Sequence, residues 1–255
     1  MAGPADRQKT ALVTGAGRRL GRAIAAGLAE QGYAVALHHN ASAAGAGELA
    51  REIRDGGGQA VAIGHDFSAA DTAGELVGKA AAALGGPVSV LINSASAFDK
   101  DQLTTLTPES WRFLIDVNVT APVFLMQAFA NQAPPPAAGA IVNILDTQMT
   151  SASPARFSYF CGKFALEGAT RLAAYDLAPK GIRVNAVAPG LVLPSGQNQE
   201  TYERRQRLTP LGPGLGAQDI VEAVLYLVSA PQVTGHVLVV DAGQRLMGFG
   251  NAPIG

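Results

Sequence analysis

The sequence predicts an α/β protein: a doubly wound, mostly parallel seven-stranded sheet with helices on both faces, in a single domain over residues 1–255. Three observations carry this. Short apolar runs alternate with helix-length stretches along the whole chain, the order that builds parallel sheets with right-handed crossovers. Val88–Ile92 is almost continuously apolar, as in strands buried on both faces. No composition shift or internal repeat divides the chain, and 48% apolar residues can bury one sizeable core.

The elements follow in order. Thr10–Thr14 is a short strand, followed by a glycine-rich turn and a helix over Arg19–Gln31. Ala34–Leu37 is a strand, and Ala43–Asp55 is a helix stopped by Gly56, Gly57 and Gly58. Ala60–Ile63, Val88–Ile92, Ala140–Leu145, Ile182–Ala188 and Val237–Val240 read as the remaining strands. Asp71–Leu84, Pro108 to about Gln132, Arg156–Ala178 and Gln218–Ser229 read as the remaining helices. Pro134–Pro136 marks a loop. The stretch 192–216 is rich in Gly, Pro and polar residues and follows a strand's C-terminal end, where open α/β sheets bind ligands. It is expected to be a substrate-lid loop.

Composition excludes several classes. A net charge of −1 gives no electrostatic footprint for nucleic acid. No apolar run approaches the roughly 18 residues of a membrane span, and the polar start Met1–Lys9 lacks a leader's apolar core. Cys161 has no intrachain partner, which fits a reducing cytoplasm. His38, His39, His65 and His236 lack metal-ligand spacing and read as surface or supporting residues, so no metal is expected.

The turn Thr14-Gly15-Ala16-Gly17-Arg18-Arg19-Leu20-Gly21 joins the first strand to the first helix. Glycines let backbone approach a pyrophosphate, and the helix start offers free N–H groups. The same turn can also serve as a tight bend without a ligand. Its place at the head of an alternating pattern points to a Rossmann-type dinucleotide fold. The second strand runs into Leu37-His38-His39-Asn40, with no acid before Glu48 to bond a ribose 2′-hydroxyl. With Arg18 nearby, and His39, Asn40 and Ser42 as donors, this favours NADP(H).

Tyr159 and Lys163 lie four residues apart on one helical face. An ammonium beside a phenol favours phenolate, which predicts a tyrosine able to pass a proton near neutral pH.

Over essentially its whole length the chain resembles the short-chain dehydrogenase/reductase family. The motifs are Thr14–Gly21, Asn93-Ser94-Ala95-Ser96, Asn118, Tyr159 with Lys163, Asn185 and Pro189-Gly190. The resemblance implies Tyr159 as proton donor, Lys163 on the nicotinamide ribose, and Asn118 in a water-linked relay. It implies a cofactor site drawn from Gly15, Arg18, Arg19 and Leu20 in the turn, and His39, Asn40 and Ser42 beyond the second strand. Asp66 (at the adenine) and Phe67, then Asn93, Ala95 and Ser96, and finally Lys163, Pro189 and Gly190 complete that set.

Three departures narrow the resemblance. Arg19 replaces the turn's middle glycine, Ser94 and Ser96 replace Asn and Gly, and Asp146 stands thirteen residues before Tyr159 where serine is usual. An ionised aspartate only accepts hydrogen bonds and would repel the carbonyl oxygen that serine serves. It suits a nitrogen heterocycle, although a turn role for Asp146 is the other reading. All three departures resemble the pteridine reductase branch, with which Asn93-Ser94-Ala95-Ser96-Ala97-Phe98 and Leu37–Ser42 also agree. Ala41 departs from it, where an arginine for the 2′-phosphate is expected. The branch implies a pterin pocket of Arg19, Ser96, Phe98, Asp146, Tyr159 and Leu191, with Phe98 stacking on the flat ring. The other reading is a core phenylalanine on the loop after the fourth strand; stacking comes ahead of it because Ser96, Arg19, Asp146 and Phe98 all match one ligand type.

The expected activity is NADPH-dependent reduction of a dihydropterin or dihydrofolate C=N bond, by a homotetramer with no nucleic-acid or membrane partner. The alternatives are a ketone or 3-oxoacyl reductase, opposed by Asp146, and a non-enzymatic dinucleotide sensor, opposed by the intact Tyr159, Lys163 and Asn118. Cys161 and Trp111 read as packing residues.

Overall fold

The computed structural model describes residues 8–132, 139–151, 155–194 and 199–247. Its strands are β1 (Thr10–Val13), β2 (Ala34–His39), β3 (Ala60–Gly64), β4 (Val90–Asn93), β5 (Gly139–Ile144), β6 (Ile182–Pro189) and β7 (Val237–Val240). They form one seven-stranded sheet in the order β3-β2-β1-β4-β5-β6-β7. Every pairing is parallel. The chain winds outward from β1 to β3, then returns to β4 on the other side of β1. That reversal opens a crevice at the carboxyl ends of β1 and β4, the switch point where doubly wound sheets bind ligands.

Strands that read as unbroken apolar runs sort their side chains by alternation. Ala11, Val13, Val35, Leu37, Val90 and Ile92 enter the core on one face, under α1 (Arg19–Glu30), α2 (Ala43–Asp55) and α8 (Ala217–Ser229). Leu12, Ala34, Ala36, Leu91 and Ile141 enter the other, under α3 (Glu75–Leu84), α5 (Ala121–Ala130) and α6 (Phe157–Leu177). Each fully buried Leu or Ile here stabilises the fold by about 1.5–3 kcal/mol.

The long helix after Pro108 is three pieces: α4 (Pro108–Ile115), a π turn (Asp116–Thr120) and α5. Thr107 caps α4 reciprocally with Ser110. The π turn has two causes. Pro122 has no N–H to offer the carbonyl four residues back, and Asn118 Nδ2 donates to Leu114 O at 2.9 Å, inserting a side chain into the ladder. The stretch Pro108–Ala130 is long and apolar enough to cross a membrane by length and composition. Here Leu114, Ala121, Leu125 and Phe129 are fully buried within the protein instead.

Most bounds shift by one or two residues, and two departures are larger. The helix expected from Asp71 begins at Glu75, behind a 3-10 turn over Ala70–Thr72. The expected lid loop is not continuous loop, because α7 occupies Gln199–Arg207. Its residues QETYERRQR carry no apolar stripe, so periodicity could not reveal it. Ion pairing of Arg207 with Glu203 and a Gln199–Glu203 hydrogen bond hold its surface, while Tyr202 Oη donates to Val192 O at 2.8 Å and anchors it to the lid's start. Pro134–Pro136 falls outside the described residues.

Candidate active site

The glycine turn sits at the carboxyl end of β1, and its shape fits a dinucleotide. Gly15 has φ +67°, and a Cβ there would stand 3.0 Å from Ala95 Cα. A Cβ on Gly17 would lie 2.2 Å from Ser42 Oγ, and one on Gly21 2.3 Å from Gly15 O. These positions admit only glycine, so backbone lines the cradle. Helix geometry leaves the first-turn N–H groups of α1 without intrahelical acceptors. Arg18, at the N-cap, is exposed and makes no side-chain cap bond. Arg19 is exposed in the left-handed region at φ +53°, and its guanidinium donates to Pro194 O at 2.7 Å, joining the turn to the lid's first residues. Leu20 packs against the core.

Thr14 locks the turn to the next strand. Its Oγ1 accepts from Ser94 N and Ala95 N, each at 2.9 Å, and donates to Ile92 O. On the far side, Asn40 Nδ2 donates to Asp66 Oδ1 at 3.1 Å, and Ser68 N donates to the same oxygen. Hydrogen bonds from the Ser68 backbone and side chain hold the exposed Asp66 carboxyl below its usual range. His39 and Ser42 stand half-exposed nearby in the chain. The Phe67 ring is buried in the core and lies 4.4 Å from the His38 ring, so its backbone is the part that can meet a ligand. Asn93 is buried with Nδ2 donating to Asn143, while its Oδ1 has no partner, an acceptor available at the end of β4.

The reactive groups gather at the ends of β5 and α6. Tyr159 is buried, and its hydroxyl donates to Asp146 Oδ2 at 2.9 Å. Asp146 Oδ1 accepts Gln148 N at 2.8 Å. Burial pushes the Asp146 carboxyl up, opposed by those two bonds and by the charges of Lys163 and Arg156. Lys163 is buried with Nζ donating to Ile144 O at 2.8 Å, and burial lowers its pKa to about 8.

The expectation that Lys163 depresses the tyrosine fails in this geometry. Burial raises the Tyr159 hydroxyl well above its usual value, and the Asp146 charge and hydrogen bond raise it further. Lys163 Nζ lies 5.5 Å from the Tyr159 ring centroid and is turned to a carbonyl. A carboxylate where serine is usual reverses the local field. Burial and the Asp146 contact therefore favour the protonated phenol, the form that can donate.

Asn118 is fully buried and heavily engaged: Nδ2 donates to Ala97 O and Leu114 O, and Oδ1 accepts Ser96 Oγ at 2.7 Å. It fixes the loop carrying Ser96 and Phe98, with one lone pair left for a relay. Pro189 ends β6, and a Cβ on Gly190 would fall 2.7 Å from Asp241 Cα. Leu191 is buried, its N–H bonded to Gln244 and its carbonyl to Gln206.

Three residues at this site escaped the sequence reading. Arg156 lays its guanidinium 3.6 Å over the Phe98 ring, while the Tyr159 ring meets Phe98 at 4.6 Å, nearly perpendicular. Phe98 thus has one face already covered by a cation. Asp101 Oδ1 accepts Ser158 N at 3.1 Å and caps α6 just before Tyr159, from 57 residues away. His38, read as a surface or supporting residue, is buried against the glycine turn. No local pattern marks any of the three.

A glycine cradle at the switch point, a buried phenol and a buried lysine define a dinucleotide-dependent oxidoreductase. The chain belongs to the short-chain dehydrogenase/reductase family: residues 15–245 match the family model described as Enoyl-(Acyl carrier protein) reductase. It is 32% identical over 243 residues to the 3-oxoacyl-[acyl-carrier-protein] reductase FabG of Staphylococcus epidermidis, covering 93% of this chain and 99% of that one. It is 32% identical to the cis-4-hydroxycyclohexanecarboxylate dehydrogenase of Sinomonas cyclohexanicum, covering 94% and 98%. Among solved structures it is similar to FolM alternative dihydrofolate reductase 1 from Brucella suis in complex with NADP, with TM-score 0.88, 37% identity and 93% and 95% coverage. The Brucella canis counterpart has TM-score 0.88, 36% identity and 96% coverage of each chain.

Proposed function

We propose that this protein uses NADPH to reduce a C=N bond in a pterin-type ring, a dihydropterin or dihydrofolate. The observation that carries the reading is the Tyr159 hydroxyl bonded to Asp146 at 2.9 Å, a carboxylate where a carbonyl reductase needs a hydroxyl donor. The likeness to two FolM dihydrofolate reductases supports it. NADPH when bound supplies a hydride to the ring carbon. Tyr159 gives a proton to the adjacent nitrogen, so C=N becomes CH–NH, and Asp146, by accepting from a different ring N–H, turns the C=N nitrogen toward the phenol. Lys163 holds the nicotinamide ribose, Asn93 and the turn hold the dinucleotide, and Arg18, His39, Asn40 and Ser42 favour the 2′-phosphate. Ser96, Arg19, Leu191 and Phe98, which packs beside Tyr159, line the ring's place. Asn118 supports a water-linked relay.

The FabG relatives favour a second reading, reduction of a ketone or 3-oxoacyl thioester. Asp146 opposes it, because an acceptor-only oxygen repels a carbonyl. NADPH oxidation measured with a dihydropterin and with a simple diketone separates the two: turnover of the dihydropterin alone is expected, and turnover of the diketone alone overturns the pterin reading.

A cytoplasmic homotetramer is part of the proposal. Phe164, Leu172 and Tyr175 are exposed along α6, as is Phe113 on α4, and a second copy would cover them.

A further inference from the structure

His38, at the penultimate position of β2, is 2% exposed and touches the glycine turn twice. Gly15 N–H donates to its Nδ1 at 3.1 Å, and Ala16 N–H donates to its backbone carbonyl at 2.8 Å. Its Nε2 lies 3.0 Å from His65 O. These partners determine its protonation. A backbone N–H can only donate, so Nδ1 carries a lone pair, and a carbonyl can only accept, so Nε2 carries the proton. The ring is a neutral imidazole in one tautomer. Burial agrees, lowering its pKa to about 4. Phe67 stacks on the ring at 4.4 Å and fixes its plane.

Gly15 is the residue at φ +67° that reverses the chain, and it has no side chain to hold that conformation. Its N–H direction is set by the imidazole. With the N–H groups of Gly15 and Ala16 both bound to His38, those from Gly17 into the first turn of α1 are the ones left to face a phosphate. The same ring holds the carbonyl of His65, the residue before Asp66, so one side chain ties the phosphate turn to the loop at the adenine end.

We propose that His38 is a positioning residue for NADP(H): its Nδ1 lone pair sets the phosphate turn. This holds whichever ring is reduced. The test separates the two nitrogens. The side-chain amide oxygen brought in by His38→Asn falls near the place of Nδ1 and can still accept from Gly15, whereas the longer amide of His38→Gln falls near Nε2 and keeps only the His65 contact. NADPH dissociation constants from fluorescence titration are expected within about threefold of wild type for His38→Asn, and weakened at least about tenfold for His38→Gln and His38→Leu, the scale of one buried hydrogen bond lost. Thermal midpoints measured alongside should not follow that order. Equal affinities in all variants, or losses that track the midpoints, overturn the proposal. Wild-type protein supplies a second measurement: two-bond proton–nitrogen correlations of His38 at neutral pH are expected to show the Nε2-protonated tautomer, and an Nδ1-protonated or doubly protonated ring overturns it. Wild-type protein that fails to bind NADPH would instead refute the cofactor reading.

Discussion

Replacing Asp146 by serine removes the carboxylate that distinguishes this site. Two bonds change: Tyr159 Oη at 2.9 Å and Gln148 N at 2.8 Å both lose their acceptor oxygens. A serine hydroxyl one bond shorter can recover the Gln148 N–H as a local turn bond, and desolvation of the carboxylate is relieved. Stability should therefore shift by about 1 kcal/mol or less, roughly 2–4 °C in melting midpoint for a chain of this size. Activity should fall far more. Losing a general acid–base partner costs about 10²–10⁴ in rate, so dihydropterin kcat/KM should drop by that factor while NADPH affinity stays within about threefold. The pH profile gives an independent sign. Turnover needs Tyr159 protonated, and burial, the Asp146 charge and its hydrogen bond all raise that pKa. Removing the last two lowers it, so the alkaline limb of the rate profile should move to lower pH. Diketone reduction should appear. Full dihydropterin turnover with an unmoved alkaline limb would show that Asp146 is only a turn residue.

Two further outcomes follow from burial and surface. His38 stays neutral in the fold, with a pKa of about 4 against 6.5 when exposed, among His39, His65 and Asp66. The unfolded chain therefore takes up a proton that the native state refuses. Stability should decline as pH falls from about 6.5 toward 4 and level off below, by roughly 3 kcal/mol in total. Urea unfolding across that range should show a shallower decline for His38→Asn, and parallel curves would refute the assignment. The exposed α6 residues predict a tetramer in sedimentation at micromolar concentration, and Leu172→Glu with Tyr175→Glu should yield smaller species. A wild-type monomer would refute it.

The sequence by itself determined the sheet and much of the machinery's location. All seven strands were legible because apolar runs bounded by Gly, Pro and polar residues are local signals, and Ala43–Asp55 and Val237–Val240 have the bounds their patterns implied. The glycine turn and the Tyr159–Lys163 pair were visible because their spacing is short. α7 was not legible, because a helix held by polar and charged pairs leaves no apolar period. The π turn at Asn118 was not, because it depends on where an amide side chain finds its acceptors. Tertiary structure alone decided the electrostatics: whether Lys163 or Asp146 governs Tyr159 depends on burial and on the direction of an ammonium that sequence spacing does not fix. It also decided the supporting cast. Asp101 caps α6 from 57 residues away, Arg156 covers Phe98 from 58, and His38 reaches back 23 to Gly15. These contacts join side chains to elements that only the folded sheet brings together, and residue type and spacing carry no record of them.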